Sequence, residues 1–106
     1  MRLLIRGRTR CDFEGVGMES RFEFGETVMT WNAHETLHPD DVLSCIARHA
    51  KGDWGELCRE DVEANDTALS RGGRILSAYR DRLNNRFWII TEWDRSVTTV
   101  LLPSDY

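Results

Sequence analysis

The segment Arg86–Trp93 (RFWIITEW) restricts the fold more than any other stretch of the chain. Phe87, Trp88, Ile89 and Ile90 are consecutive, apolar, and aromatic or β-branched. An amphipathic helix would space its apolar residues three and four apart, whereas a strand buried on both faces takes them in a run. The segment therefore reads as a central strand. Its neighbours agree. Arg74–Arg80 (RILSAYR) sets Ile75, Ser77 and Tyr79 against Leu76 and Ala78, and Asn84-Asn85 supplies the returning turn. Asp94-Arg95-Ser96 turns the chain again, and Val97–Leu102 (VTTVLL) forms a last strand ended by Pro103. Three consecutive strands with short connections make an antiparallel meander.

Helical signals precede this sheet. Pro39 suits a first helical position, Asp40 and Asp41 suit the positive end of the helix dipole, and Val42, Leu43, Ile46, Ala47 and Ala50 recur with helical spacing up to Gly52. A second helix is expected from Cys58 or Arg59 to Gly72-Gly73, with Val62, Asn65 and Leu69 on its narrow apolar face. A short helix is expected after Asn32, the residue that reads as its N-cap, ending near Leu37. Arg21–Trp31 reads as extended, with Gly25 marking a bulge or turn. The expected fold is α+β: two or three N-terminal helices packed on a C-terminal antiparallel meander of three strands, plus one N-terminal extended segment. Residues 1–20 read as a flexible or accessory leader and residues 21–106 as one domain. Within 7–20, three glycines and mixed charge read as a loop or weak strand, and Met18 is a candidate second start.

With 106 residues, 41% hydrophobic and 30% charged, the chain has an ordinary globular composition. No apolar run reaches the ~18 residues of a membrane span, and no secretory signal core is present. Cys11, Cys45 and Cys58 are too widely spaced for a C-x-x-C site and read as reduced thiols of a cytoplasmic protein, with Cys45 packed as a small hydrophobe. The net charge of −4 divides unevenly: residues 22–70 carry eleven acidic and three basic side chains, whereas both ends are mildly basic. Such a balance disfavours strong nonspecific nucleic-acid binding, which depends on phosphate neutralisation. A local anion site on the basic half stays open.

No phosphate loop, metalloprotease motif, calcium loop or nucleophile elbow occurs. No metal or cofactor is expected: His34 and His38 are four apart, but Pro39 disfavours a continuous helix through them. His49, near a helix C-terminus, reads as a cap that compensates the dipole. The remaining candidates lie on the sheet and on the acidic helical region. Arg74 and Arg80 share strand parity and, with Arg95, are candidates for binding an acidic group. Trp93 is a candidate anchor for a partner, since Trp and Arg are enriched at interface hot spots. Asp94, Ser96 and Thr98 complete that set. Asp53, Glu56, Glu60, Asp61 and Glu63 form a candidate acidic contact surface. None of these is expected to be catalytic.

Three stretches carry a resemblance: RHAKGDWGEL (48–57), RILSAYR (74–80) and WIITEWDRSVTTVLLPSDY (88–106). Together they resemble a family of short bacterial proteins labelled hypothetical or plasmid-related, some loosely tied to type I restriction systems. Trp93 departs from the small residue expected before Asp94-Arg95-Ser96. The resemblance implies a bacterial, mobile-element setting and no mechanism. The series Arg74-Ile75-Leu76-Ser77, Trp88-Ile89-Ile90 and Asp94–Thr99 also resembles the closing strands of barnase-like ribonucleases, whose fold class includes RelE-type toxins. That likeness implies a phosphate-binding role for Arg74 and places Arg95 where the catalytic histidine would stand. Arginine does not act as a general acid at neutral pH, and no glutamate aligns as general base. The function expected is that of a non-catalytic accessory protein that binds, and by binding inhibits, a protein partner, such as a host defence component of a restriction or CRISPR system. The alternative is an RNA-binding or RNA-cleaving domain using Arg74, Arg80, Arg95 and Thr98. An exposed strand edge pairing two copies into a homodimer is a third expectation.

Overall fold

A computed structural model of the chain describes residues 2–8 and 20–106. The chain is α+β. Strands β1 (Arg2–Arg8) and β2 (Glu26–Thr30) come first. Helices α1 (Trp31–Thr36), α2 (Pro39–Ala50) and α3 (Arg59–Arg71) follow, then strands β3 (Ile75–Arg80), β4 (Arg86–Thr91) and β5 (Val97–Leu101), and a 3-10 turn over Pro103–Asp105. The sheet order is β1-β2-β5-β4-β3. The expected C-terminal meander is present, with β3 antiparallel to β4 and β4 antiparallel to β5.

Two parts of the expectation change. The sheet is mixed, because β2 lies parallel to β5, with Thr27 beside Thr98 and Met29 beside Val100. The helices therefore sit between strands of one sheet instead of preceding it. Parallel neighbours need a long crossover, and here all three helices and two strands intervene between β2 and β5. β1 pairs antiparallel with β2 from within the stretch read as a leader. The expected loop over 9–19, with Met18 and Cys11, lies outside the described residues.

Local signals explain the helix ends. Thr30, not Asn32, caps α1, its hydroxyl accepting from the Ala33 amide at 3.2 Å. Asn32 instead donates to Asp105 at 2.7 Å. Pro39 stands at the start of α2, and the His38 side chain accepts from the Asp40 amide. His38 is thus a cap and does not share a helix face with His34.

One face of the sheet carries Phe24, Met29, Phe87, Ile89, Val100 and Tyr79 against Ala33, Val42, Cys45, Ile46 and Ala50 of the first two helices. A second cluster joins Trp54, Ala68 and Ile75. Cys45 is buried within the first, as its apolar spacing implied. Among the described residues no helix packs on the opposite face, yet Val28, Ile90, Thr99 and Leu101 are buried there as well. The tail returns across this face: Tyr106 packs edge-on against Trp88.

The outer edge of β3 is covered. Asn65 on α3 donates to the Leu76 carbonyl at 2.6 Å and accepts from the Leu76 amide at 3.1 Å, so one side-chain amide replaces a neighbouring strand. Two residues on, the Ala78 amide donates to the Trp54 carbonyl and the Ala78 carbonyl accepts from the Glu56 amide. Gly55 sits between these bonds at φ 74°, and a Cβ there would collide with the Ala78 carbonyl oxygen. The β3 edge is thus closed to pairing with a second copy. Asn65→Ala should cost about 2 kcal/mol, because it orphans two part-buried backbone groups at Leu76. It should also raise self-association, since it opens a strand edge. Chemical denaturation and light scattering check the two effects.

Candidate functional site

The turn between β4 and β5 is built by its own polar groups. The Glu92 amide donates to the Val97 carbonyl and the Arg95 amide to the Glu92 carbonyl. Asp94 accepts from the Ser96 amide at 3.0 Å and from the Ser96 hydroxyl at 2.6 Å. These bonds favour the ionised carboxylate, and the Asp94 pKa is lowered accordingly, the Ser96 hydroxyl being the main cause. Arg95 takes a left-handed backbone conformation at φ 60°.

The Arg95 guanidinium turns inward. It donates to the carbonyls of Gly73 at 2.5 Å, Glu92 at 3.1 Å, Trp93 at 3.4 Å and Ala68 at 3.1 Å. It also lies over the Phe22 ring, 5.8 Å from its centre. Ala68 belongs to the last turn of α3; its carbonyl already accepts from the Gly72 amide at 2.9 Å, and Arg95 adds a second, charged donor there that opposes the dipole. One side chain thus ties together the end of α3, the entry to β3 and the β4–β5 turn. Trp93, at the tip of that turn, is 70% exposed.

The other arginines are engaged elsewhere. Arg74 donates to the Tyr106 hydroxyl at 2.5 Å. Arg80 donates to Glu56 and to Asn84, both at 3.0 Å. Arg74 and Arg80 stand at opposite ends of β3, roughly 20 Å apart at ~3.3 Å per residue. Thr98 is fully buried on the helix face. The four residues of the ribonuclease-like reading are therefore not brought into one pocket. Among the five acidic candidates, Asp53 pairs with Arg48 at 2.7 Å, Glu56 with Arg80 at 3.0 Å and Glu63 with Arg59 at 3.4 Å. Glu60 and Asp61 are exposed in the first turn of α3.

His49 is the residue that sequence reasoning placed wrongly. Its ring is fully buried among Phe22, Phe24 and Trp54. Burial lowers its pKa to about 3, so it is neutral at pH 7 and cannot compensate a dipole as a cation. Its two nitrogens are used in a fixed order. Thr98 donates its hydroxyl proton to the Phe24 carbonyl at 2.8 Å. Thr91 lies 2.8 Å from Thr98 and must therefore donate to it. His49 Nε2, 3.0 Å from Thr91, must then carry the proton and donate. The neutral ring leaves Nδ1 as acceptor, and Ser77 donates to it. The chain Ser77–His49–Thr91–Thr98–Phe24 is thus directional and closed at a carbonyl. It resembles a hydroxyl–imidazole pair, but Ser77 and His49 are both fully buried and no substrate reaches them.

A groove of about 260 Å³ opens on the helix-free face, lined by Thr30, Ile90, Glu92, Thr99, Leu101, Asp105 and Tyr106. It begins one residue before Trp93. No residue of this groove other than its neighbours in the turn was singled out by sequence. Glu92 and Thr99 read there as ordinary strand and turn residues, and Asp105 lies 75 positions from the Thr30 hydroxyl it accepts. Among the described residues no group of side chains is arranged to hold a metal ion, and no helix is long and apolar enough to cross a membrane. Comparison with protein-family models, curated proteins and solved structures found no match to this chain.

Proposed function

We propose that this protein is a non-catalytic binding module whose β4–β5 turn anchors a protein partner through Trp93. The observation that carries this reading is the pairing of an exposed indole with a rigid base. Large aromatic side chains on preorganised turns supply binding energy with little loss of freedom. Arg95 contributes by holding the turn, its two terminal nitrogens being engaged by the carbonyls of Gly73, Glu92 and Ala68. The overall charge of −4, with Glu60 and Asp61 exposed in the first turn of α3, favours a basic partner surface. The resemblance of residues 88–106 to plasmid-related bacterial proteins extends the proposal to a host defence component, such as a restriction or CRISPR effector, inhibited by occupancy.

Quantitative capture from bacterial lysates with the wild type and Trp93→Ala tests the anchor. A specific partner should be retained by the wild type and lost at least about tenfold by the variant, the effect expected of a hot-spot residue worth ~1.4 kcal/mol or more. The thermal melt of Trp93→Ala should stay within about 0.5 kcal/mol of wild type, as for an exposed position. RNA cleavage by purified wild type that is lost in Arg74→Ala would instead support the ribonuclease-like alternative.

A further inference from the structure

The chain after β5 returns across the sheet face that no described helix covers, and side chains hold it there at two points. At the first, the Asp105 carboxylate accepts from the Thr30 hydroxyl at 2.6 Å, from the Asn32 side chain at 2.7 Å and from the Leu102 amide at 3.1 Å. At the second, the Tyr106 ring meets Trp88 edge-on with centres 5.7 Å apart, and its hydroxyl accepts from Arg74 at 2.5 Å. Between these points the segment is loosely packed. Pro103, Ser104 and Tyr106 are exposed, and none of residues 103–106 belongs to either core cluster. The groove of about 260 Å³ is bounded by Asp105 and Tyr106 on one side and by Ile90 and Leu101 of the sheet on the other. Segments with few buried apolar contacts and accessible hydrogen bonds open at lower free energy than a core. Thr30 ties this segment to another element. The hydroxyl that donates to Asp105 also accepts from the Ala33 amide at 3.2 Å, and so caps α1. Donation to a carboxylate polarises that hydroxyl and makes it a better acceptor. The cap on α1 is therefore strongest with Asp105 in place.

We propose that residues 103–106 are a strap latched by Asp105, whose opening uncovers Trp88, Ile90 and Leu101 and loosens the start of α1 in the same step. This goes beyond the Trp93 anchor and does not depend on it. The closed strap is the ground state, and the open form is a minor population in equilibrium with it. Opening breaks bonds that are exposed or part-buried and leaves both core clusters intact. The two attachments act together because they are consecutive residues. Release of Tyr106 from Trp88 removes a restraint on Asp105, and release of Asp105 withdraws the acceptor from Thr30. A local opening equilibrium of this kind couples sites that do not touch. Trp88 and Ile90 lie on β4, the strand that leads into the Trp93 turn, so opening enlarges the apolar surface behind that turn.

NMR of the full chain, with a variant ending at Leu102 as the open reference, tests the strap. In the wild type the Asp105 and Tyr106 amides should exchange with solvent on the order of a hundredfold faster than those of Ile89 and Val100, without the denaturant dependence of global unfolding. Asp105→Asn removes the charge from the latch and should raise the open population about tenfold. Resonances of the Trp88 indole, Ile90, Leu101 and Ala33 should then move along straight lines toward the truncated form, all by the same fraction. Binding of the apolar dye anilinonaphthalene sulfonate should rise in step. Tyr106→Ala cuts only the second attachment, yet it should move Ala33 along the same line. If the truncated chain does not fold, the two point variants still define the line, since both must shift the same resonances in the same direction. An Ala33 resonance unmoved in Tyr106→Ala, unequal fractions at Ala33 and Leu101, or Asp105 and Tyr106 amides that exchange only with the core would overturn the proposal.

Discussion

Replacing His49 with alanine should destabilise the protein by about 4 kcal/mol, among the largest effects of any single substitution in the chain. Two costs combine. Removing a buried ring leaves a cavity, which costs several kcal/mol in a core that relaxes only partly. The same change strands the Ser77 hydroxyl and removes the donor that Thr91 accepts from, although Thr91 still donates to Thr98. His49→Gln should recover much of the loss, since a carboxamide also offers one acceptor toward Ser77 and a donor toward Thr91. Urea denaturation of the three proteins at pH 7 gives the comparison.

The same residue should dominate the acid response. In the folded protein the His49 pKa is about 3 because burial penalises the charged ring. In the unfolded chain it returns to about 6.5. The unfolded state therefore binds the extra proton across this interval, and stability falls as pH drops. The contribution is complete above about pH 6.5 and is lost toward pH 3, with a limiting slope of roughly 1.4 kcal/mol per pH unit. Between pH 6.5 and 4.5, above the range of the lowered carboxylates such as Asp41 at about 2, the loss should be about 2–3 kcal/mol. His49→Gln should flatten that interval. An unchanged slope in this variant would assign the acid sensitivity to another group.

Arg95→Ala should cost about 3 kcal/mol, since hydrogen bonds to charged groups are worth roughly 1.5–3 kcal/mol and the guanidinium serves several carbonyls at once. Arg95→Lys should recover little, because a single ammonium cannot span carbonyls on three separate segments. Arg95→Gly should be less damaging than Arg95→Ala. Both lose the clamp, but the left-handed backbone at φ 60° costs a non-glycine residue about 1–2 kcal/mol that glycine avoids. This order reverses the usual preference for alanine and so tests the turn geometry itself. Thermal or chemical denaturation of the three variants reads it. Hydrogen exchange should show faster opening at the end of α3 and at Gly73 in each, because Arg95 joins those segments to the turn.

The local elements were legible in the sequence because their causes are local. The apolar run at Phe87–Ile90, the alternation in RILSAYR, Pro39 with Asp40 and Asp41, and the glycines after α3 each fix backbone conformation over a few residues. They gave the α+β class, the helices and the meander. The site was less legible. Arg74, Arg80 and Arg95 looked alike as basic sheet residues, yet one contacts Tyr106, one contacts Glu56 and one is folded into backbone carbonyls. Charge in a sequence says that a side chain needs a partner, and only packing says which.

Residue pattern alone thus determined the helices, the extended stretch that contains β2, the three strands of the meander and which residues are apolar enough to be buried, but not β1, which lies in the stretch read as a leader. The tertiary structure decided the rest. It set β2 parallel to β5 across the whole helical region, sealed His49 as a neutral link between α2 and the sheet, and brought Asp105 to Thr30 beside Glu92. The physical reason is common to all three. Each depends on groups far apart in the chain, whose pairing is fixed by the shape of the packed core and leaves no periodic or local trace.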